Sequence, residues 1–231
     1  MKTNLIVLTG AGISAESGIK TFRDAGGLWE GFPVMDVASP EGWSRDPAKV
    51  LKFYNERRKQ VLTVEPNLAH RYLVELEKTY RVRIITQNVD DLHERAGSSE
   101  VLHLHGELLK MRSTHPSATV YDCFEDIDLG DVCEKGYQLR PHIVWFGEAV
   151  PNIYEAQQWV QSADIVLVIG SSLQVYPAAG LVHEARPEVP VFYIDPKPEC
   201  SEILHIRNLK VIPELASKGM EQLIHLLREL D

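Results

Sequence analysis

Five short apolar runs constrain what this chain can fold into. They are rich in Val and Ile, they do not alternate with polar residues, and Gly, Asn, Ser or Asp bounds them, which is typical of parallel strands buried on both faces. The runs are residues 5–8, 82–86, 165–169, 189–194 and 209–212. Between several of them, apolar residues recur at helical spacing. This alternation predicts an α/β fold with a doubly wound, Rossmann-like parallel sheet.

Two segments interrupt the alternation of strand and helix. Residues 25–64 carry "GGLWEGFPVMDVASPEGW" and one further helical pattern, and residues 110–138 are polar and acidic. We expect both segments to be insertions that form a small lobe over the edge of the sheet. A chain of 231 residues suits a single domain, residues 1–231. The large part then comprises about residues 1–24, 65–109 and 139–231.

Net charge and composition indicate which kinds of binding partner this protein is expected to lack. The formal net charge is −9 and the acidic residues are spread along the chain, so nothing attracts nucleic acid or an anionic membrane. The first apolar run is too short for a signal-peptide core or a membrane span, which predicts a cytoplasmic protein. Three cysteines do not suggest a disulfide scaffold. No apolar stripe or heptad pattern suggests an oligomer, so we expect a monomer.

A polar cluster follows each of the first four runs. The clusters are "TGAGIS", "TQNVDDLH", "GSSLQVYP" and "DPKP". Because the carboxyl ends of parallel strands meet at one edge of a sheet, the clusters predict a single nucleotide site. Gly10, Ala11 and Gly12 let backbone amides approach a pyrophosphate, although a tight turn alone also explains two glycines. Gly18 lies too far along the chain for G-x-G-x-x-G, so the loop is not typical of dehydrogenases.

Two stretches contain side chains suited to binding a ribose or moving a proton. An Asx turn explains Asn88 or Asp90 alone, but Gln87, Asn88 and Asp90 together match what a ribose and a carboxamide require. In "VLHLHGEL", His103 and His105 lie on the same side of an extended segment. A purely structural histidine is the alternative, while an ordinary imidazole pKa suits base catalysis at neutral pH.

The motifs together resemble the sirtuins, the NAD-dependent protein-lysine deacylases. "GAGISAESGIKTFRDAGGLW", "TQNVDDLHERAG", "HLHGEL", "RPHIVWFGE" and "GSSLQVYPAA" occur in the order and approximate spacing of that family, from about residue 7 to residue 213. The resemblance implies that NAD is consumed as a co-substrate. The implied cofactor-binding residues are Gly10, Ala11, Gly12, Phe22, Arg23, Trp29, Gln87, Asn88, Asp90, Gly170, Ser171, Ser172 and Asp195. At Asp195 the family commonly has Asn instead.

The resemblance also implies a reaction. The acyl-lysine carbonyl oxygen attacks the anomeric carbon of NAD and expels nicotinamide, which gives an imidate linked to ADP-ribose. His105 then acts as general base on a ribose hydroxyl, and Asn88 and Asp90 are the other catalytic positions. The products are free lysine, nicotinamide and O-acyl-ADP-ribose, and no step requires a metal.

The substrate side carries a further resemblance. Tyr54 and Arg57 lie three residues apart and share one face of a helix, where an exposed pair is the alternative. In the sirtuin subgroup that removes acidic acyl groups, a Tyr-x-x-Arg at this place binds the distal carboxylate of succinyl- or malonyl-lysine. Ala38 matches a small position that leaves room for the acyl chain, so we expect desuccinylase and demalonylase activity beside deacetylation. Main-chain clamping of an acyl-lysine peptide is implied for Val144, Phe146, Gly147, Glu148, Ser172 and Val175.

The small lobe departs from the family pattern. Most sirtuins carry two Cys-x-x-Cys pairs there, which is a tetrahedral zinc signature. The aligned positions here are Ser113, Pro116, Val132 and Lys135. Cys123, Cys133 and His115 offer at best an irregular site, so we expect no zinc or other metal. The lobe then depends on packing, for which the candidates are Val120, Tyr121, Phe124 and Ile127.

Two other functions stay open as alternatives. Some sirtuin relatives pass ADP-ribose to a protein side chain, which makes a protein ADP-ribosyltransferase the second interpretation. Tyr54, Arg57 and the peptide clamp favour the deacylase over it. A non-catalytic NAD-sensing module is the third interpretation, and the presence of His105, Asn88 and Asp90 argues against it.

Overall fold

The computed structural model describes residues 2–21, 28–117, 119–198, 203 and 205–228. In chain order the elements are β1 (Asn4–Thr9), a 3₁₀ helix (Ala11–Ser17), β2 (Leu28–Trp29), β3 (Phe32–Pro33), α1 (Val34–Val37), α2 (Pro40–Arg45), α3 (Pro47–Thr63), α4 (Leu68–Leu76), β4 (Arg81–Thr86), α5 (Leu92–Ala96), β5 (Val101–His103), β6 (Gly106–Ser113), β7 (Val120–Asp122), β8 (Leu139–Ile143), α6 (Ile153–Gln161), β9 (Ile165–Ile169), a second 3₁₀ helix (Ala178–Glu184), β10 (Val191–Ile194), β11 (Leu209–Ile212) and α7 (Ala216–Leu227).

Six parallel strands form the central sheet in the order β11-β10-β9-β1-β4-β5. From β1 the chain adds strands first on one side and then, starting with β9, on the other. The order therefore reverses between β1 and β9, and the crevice beyond their carboxyl ends is where a doubly wound sheet binds ligands. The predicted α/β fold is confirmed, and each predicted apolar run is a strand within two residues at either end. The sixth strand, β5, was expected only as an extended segment.

Helices cover both faces of this sheet. On one face α4 and α7 pack Leu73 and Leu223 against β1, whose Leu5 and Val7 have no solvent-exposed surface. On the other face α6 and the second 3₁₀ helix cover Ile6 and its neighbours. Burial on both faces explains why the strands are continuously apolar and do not alternate.

The small lobe joins α1–α3 to an antiparallel sheet in the order β7-β6-β8. Arg58 of α3 is buried, and its guanidinium donates to the carbonyl oxygen of Leu108 in β6 at 3.2 Å. Because β6 begins before Lys110 and β8 begins after Gln138, the sheet extends beyond the bounds expected for the second insertion.

The core of the lobe differs from the expected one. Ile127 is buried as expected and Tyr121 is partly buried, but Val120 is 43% exposed and Phe124 is 58% exposed. Val120 lies at the start of β7, which pairs with β6 alone and is an edge strand. The residues that fill this core are Leu51, Cys123, Ile127, Cys133 and Leu139.

Three glycines join the loops that follow β1 and β9. The amide of Gly10 donates to the carbonyl oxygen of Ile169 at 3.1 Å, and the amide of Gly12 donates to that of Gly170 at 2.8 Å. A Cβ at Gly12 would lie 2.5 Å from the Cα of Gly170. Gly170 has φ +60°, and a Cβ there would collide with the backbone of Gly12 and Ile13. Side chains are therefore excluded from this joint by packing as well as by backbone conformation.

We expect Gly170→Ala to lower the free energy of unfolding by at least about 2 kcal/mol, because the new methyl group meets backbone atoms that cannot move aside. Gly130→Ala is the matched control, since Gly130 also has a positive φ of +100° but open space around it. Gly130→Ala should lower the free energy of unfolding by only about 1 kcal/mol. Urea unfolding of both variants measures the difference, and equal losses would show that the loop packing contributes nothing.

Candidate functional site

Loops from four strands meet at the carboxyl edge of the sheet. The amide of Gln87, after β4, donates to the carbonyl oxygen of Thr9 in β1, and its side-chain Nε2 donates to Ser171 Oγ, after β9, at 3.0 Å. The hydroxyl of Tyr193 in β10 donates to the carbonyl oxygen of Ser171 at 2.9 Å. These bonds fix the four loops relative to one another.

A buried polar network lies at the centre of the site. The Asn88 side-chain amide donates to Ser14 Oγ at 3.1 Å and to the carbonyl oxygen of Gly10 at 3.2 Å. The Ser14 hydroxyl in turn donates to Asp90 Oδ2 at 3.0 Å. All three side chains are at least nine-tenths buried. Sequence reasoning missed Ser14, for which the only signal is a hydroxyl beside Ile13 in the glycine-rich loop.

The pKa of the Asp90 carboxyl group lies close to neutral pH. Burial raises the pKa of Asp90 to about 6, against the opposing effects of the Leu92 amide, the Ser14 hydroxyl and the positive charge of His103. Burial favours the neutral acid, and the donors favour the carboxylate. The ionisation of Asp90 therefore depends on small changes in its surroundings.

His105 has one ring nitrogen committed and the other available. Its Nδ1 faces the carbonyl oxygen of Gln87 at 3.1 Å, and because a carbonyl only accepts, Nδ1 carries the proton. Burial lowers the pKa of His105, so the ring is neutral at pH 7 with a lone pair on Nε2. Gly106, with φ +85°, follows directly, and a Cβ there would collide with the carbonyl oxygen of His142. This geometry suits a general base.

The glycine loop after β1 bonds to the end of β9 and to the residue that follows it. The amide of Gly10 donates to Ile169 and the amide of Gly12 donates to Gly170, while the expected approach of this loop to a pyrophosphate stays a prediction. Ala11 begins the first 3₁₀ helix beside them. Phe22 and Arg23, also expected at the cofactor, lie outside the described residues.

The residues expected on the adenosine side follow two neighbouring strands, β9 and β10. Gly170, Ser171 and Ser172 follow β9, and Asp195 follows β10 with only 3% of its surface exposed. Asp195 Oδ1 accepts from the amide of Lys197 at 2.9 Å. Ser172 is half-buried, so its surface remains partly open to the crevice.

Tyr54 belongs to an aromatic cluster within the small lobe. It has no exposed surface, and its hydroxyl accepts from Trp145 Nε1 at 3.1 Å. Trp29 packs edge-on against Tyr54 at 6.0 Å between ring centroids, while its expected contact with the cofactor stays a prediction. Burial raises the pKa of Tyr54, which keeps the phenol neutral. Ala38 belongs to the same cluster.

Arg57 carries unused hydrogen-bond donors. Its guanidinium lies over the Phe53 ring at 4.6 Å, and Nη2 pairs with Glu56 at 3.3 Å. Nε and Nη1 are buried and have no partner among the residues that the structure describes. Only 16% of the side chain is exposed, so the alternative of an exposed Tyr54 and Arg57 pair is wrong. Buried donors of a cation without acceptors indicate a place for an anionic ligand.

The segment of residues 144–148 connects the two halves of the site. The amide of Val144 donates to the carbonyl oxygen of His105, and the amide of Phe146 donates to that of Ala38 at 3.0 Å. Phe146 is 41% exposed, and Gly147 is also exposed. The segment therefore spans from His105 to the aromatic cluster.

Ion pairs hold the end of this segment. The Glu148 carboxylate accepts from Arg140 at 2.8 Å, from Arg112 at 3.0 Å and from the amide of Trp145 at 2.8 Å. Arg140 also stacks on the Trp145 ring at 3.3 Å. Since these contacts occupy the Glu148 carboxylate, any contact of Glu148 with a peptide is left to its main chain.

The two described thiols are free and are held in packing contacts. Cys133 Sγ lies 3.1 Å from the Ser113 hydroxyl, and Cys123 Sγ donates to the carbonyl oxygen of Glu125. The His115 ring packs on Tyr137 and bonds to Ser117. Across the described part of the chain, no group of three or more His, Cys, Asp or Glu side chains could hold a metal ion.

A pair of buried histidines lies beneath the site. His70 of α4 and His93 of α5 meet edge to face at 4.9 Å, and His93 Nε2 contacts the Thr9 hydroxyl at 3.1 Å. Neither nitrogen of His70 has a partner among the described residues. Burial lowers the pKa of His70 to about 4 and that of His93 well below its ordinary value. Both rings are neutral in the folded protein.

Comparison with known proteins identifies relatives of the chain. The Sir2 family model matches residues 10–177. The NAD-dependent protein deacylase of Helicobacter pylori strain 26695 is 56% identical over 98% of both chains. A Sir2 homologue solved with NAD superposes with a TM-score of 0.86 at 37% identity, covering 99% of this chain and 91% of that one. Sir2 bound to an acetylated peptide superposes at 0.80 with 28% identity, covering 98% and 94%. No described helix is long and apolar enough to cross a bilayer.

The buried histidines predict acid sensitivity. Because the folded state holds His70 at a pKa of about 4, its contribution to stability is complete above pH 6.5 and is lost as pH falls towards 4. Between pH 7.5 and pH 5 this amounts to about 2 kcal/mol. Urea unfolding at both pH values should show a smaller pH dependence for His70→Leu than for the exposed control His225→Leu. An unchanged pH dependence in His70→Leu would contradict this interpretation.

Metal content gives a separate test of the small lobe. We expect chelator-washed protein to contain substoichiometric zinc and to keep its activity and its unfolding midpoint, because Cys123 and Cys133 already have packing and hydrogen-bond partners. Elemental analysis before and after the wash measures this. Stoichiometric zinc, whose removal unfolds the lobe, would overturn the expectation.

Proposed function

The chain belongs to the Sir2 family, the sirtuins, and from this premise we propose that it removes acidic acyl groups, succinyl and malonyl, as well as acetyl, from protein lysine side chains. Its reaction class is NAD-dependent protein deacylation, the activity of a relative that matches nearly the full chain at 56% identity. The observation that carries the choice of acyl group is the buried Arg57 guanidinium, two of whose donors have no partner among the described residues.

The polar groups at the sheet edge fit NAD. We assign Asn88, Asp90 and Gln87 to the nicotinamide ribose and the carboxamide, because the first two are already fixed by Ser14 and need little reorganisation on binding. The hydroxyls of Ser171 and Ser172 and the carboxylate of Asp195 suit the adenosine half. NAD supplies the glycosidic bond that is broken, and the acyl-lysine oxygen takes the place of nicotinamide.

His105 is proposed to move one proton. With its Nδ1 proton held by the Gln87 carbonyl oxygen, Nε2 can accept the proton of a ribose hydroxyl, which then attacks the acyl carbon. The lysine nitrogen leaves as the free amine, a water adds to the acyl carbon, and the bond from that carbon to the anomeric oxygen breaks, which leaves the acyl group on the ribose as O-acyl-ADP-ribose. The neutral state of the ring at pH 7 supports this role, since an imidazolium could not accept the proton.

The acyl chain is assigned to the space beside Tyr54 and Arg57. A distal carboxylate would provide an acceptor for Nε or Nη1 of Arg57, neither of which has a partner among the described residues, while Tyr54 stays a neutral phenol able to hydrogen-bond. Ala38 is small and buried in the same cluster, which leaves room for the longer chain. An acetyl group lacks the carboxylate, so it gains nothing from Arg57, and deacetylation does not depend on that residue.

The peptide is assigned to the main chain of residues 144–147 and 172–175. Phe146 and Gly147 are exposed beside the base and the aromatic cluster, and Val175 is half-buried on the facing loop. The Sir2 structure solved with an acetylated peptide supports an acylated peptide as substrate. Binding through the backbone implies broad sequence selectivity.

Protein ADP-ribosylation is the second candidate in the same family. It needs NAD and a nucleophilic side chain but no pocket for an acyl carboxylate. That reaction does not explain the buried Arg57 donors, which lack a partner in the part of the chain that the structure describes, so they favour the deacylase.

The acyl preference can be tested with Arg57→Met. Loss of a charge-assisted hydrogen-bonded pair should reduce kcat/KM for a succinyl-lysine peptide at least about tenfold, while the value for the matched acetyl-lysine peptide changes little. Nicotinamide release and peptide mass are the readouts. His105→Ala is the inactive reference, and Arg71→Met, at an exposed arginine of α4, is the matched control. Equal losses on both peptides would remove Arg57 from the acyl site.

A further inference from the structure

Two histidines on one short stretch each hold a carbonyl of the same loop. His105 Nδ1 faces the carbonyl oxygen of Gln87, and His103 Nδ1 faces that of Asn88, both at 3.1 Å. The second nitrogen distinguishes them, because His103 Nε2 lies 2.8 Å from Glu94 Oε1 on α5. The loop that carries Asn88 is thus held by two rings with different chemistry.

Both hydrogen-bond partners of the His103 ring can only accept a hydrogen bond. A carbonyl oxygen and a carboxylate oxygen each need a proton from the ring, so both nitrogens are donors and the ring is an imidazolium. Only 9% of the side chain is exposed. Burial alone lowers the pKa of His103, but the hydrogen bond and charge of Glu94 outweigh it and raise the pKa above its ordinary value. The His103 ring therefore keeps its positive charge, although burial by itself favours the neutral ring.

Other charged groups also surround this ring. They are Asp90, Asp91, Glu94, Glu107, Lys110 and Asp122. Lys110 pairs with Glu107 at 2.9 Å and Asp91 lies 3.7 Å from Arg95, while His93 is neutral because it is fully buried. The acidic groups outnumber the cations, which favours the imidazolium. Asp90 in turn feels the positive charge of His103, which lowers the pKa of that carboxyl.

We propose that His103 is a positioning residue that acts through Asn88 and Asp90: as an imidazolium clamped by Glu94, it fixes the loop backbone at Asn88 and keeps the Asp90 carboxylate ionised. The inference rests on the proposed function, in which Asn88 and Asp90 bind the nicotinamide ribose. His105 is the neutral ring for proton transfer, and His103 is the charged ring for alignment. A proton on His103 thereby couples the pH of the solution to NAD binding.

The kinetic test compares His103→Gln, Glu94→Gln and the exposed control His183→Gln. His103→Gln should lower kcat/KM for NAD about tenfold at pH 6.5, the equivalent of one charge-assisted hydrogen bond, with KM for the acyl peptide unchanged. The deficit should shrink as pH rises and the wild-type ring also loses its charge. Glu94→Gln keeps an acceptor but removes the negative charge, so its alkaline decline should begin at lower pH than in the wild type.

A loss of kcat/KM for NAD in His103→Gln that is the same at every pH would show that His103 has a merely structural role. No loss at any pH would show that His103 does not position the loop. Histidine-labelled protein gives a readout independent of activity. In an NMR titration, the His103 ring should be protonated at pH 7 in the wild type, and its titration should move to lower pH in Glu94→Gln. A neutral His103 ring at pH 7 would overturn the proposal. Failure of the proposed function instead appears as no acyl-dependent nicotinamide release in the wild type and the control.

Discussion

The contact between Gly10, Gly12 and Gly170 is the constraint on which the rest of the site depends. It brings the loops after β1 and β9 within backbone contact at the point where the sheet order reverses. The first 3₁₀ helix starts directly from this joint, and it carries Ser14 to the centre of the crevice. Ser14 then fixes the amide of Asn88 and the carboxylate of Asp90. A wider joint would move all three groups together.

The site separates charged and neutral states by burial and by choice of partner. His105 bonds to one carbonyl and is neutral, whereas His103 bonds to a carbonyl and a carboxylate and is charged. Tyr54 is kept neutral by burial, and the Arg57 guanidinium has buried donors without a partner among the described residues. His103 and His105 are one pair of neighbouring groups, and Tyr54 and Arg57 are another. In each pair, burial and hydrogen-bond partners give the two groups different charge states or different free donors, and so different proposed roles.

Sequence alone was sufficient for the features that depend on strand periodicity and on family motifs. The buried parallel strands and the loops at their ends follow from continuous Val and Ile runs, and these predictions were confirmed. The family and its reaction class also followed from motifs in register. Side chains whose roles depend on partners far away in the sequence were harder to predict. Ser14 contacts Asp90 across 76 positions, and Glu148 is held by arginines of β6 and β8, which no local pattern reveals.

The small lobe was the least predictable part for the same reason. Its β6 and β8 pair across a long polar connection, so their hydrophobic pattern is short and interrupted. Val120 and Phe124 were expected inside because they are apolar, but Val120 starts an edge strand and Phe124 follows that strand. Two cysteines take the interior positions instead. Packing of a small lobe depends on pairings between strands that residue type alone does not specify.

The identity of the nucleotide product tests the central claim most directly. The protein is incubated with NAD and a succinyl-lysine peptide, and the nucleotide, nicotinamide and peptide are quantified together by mass spectrometry. The account predicts one nicotinamide and one O-succinyl-ADP-ribose for each lysine freed. ADP-ribose attached to the peptide or to the protein, with the succinyl group still on lysine, would contradict it.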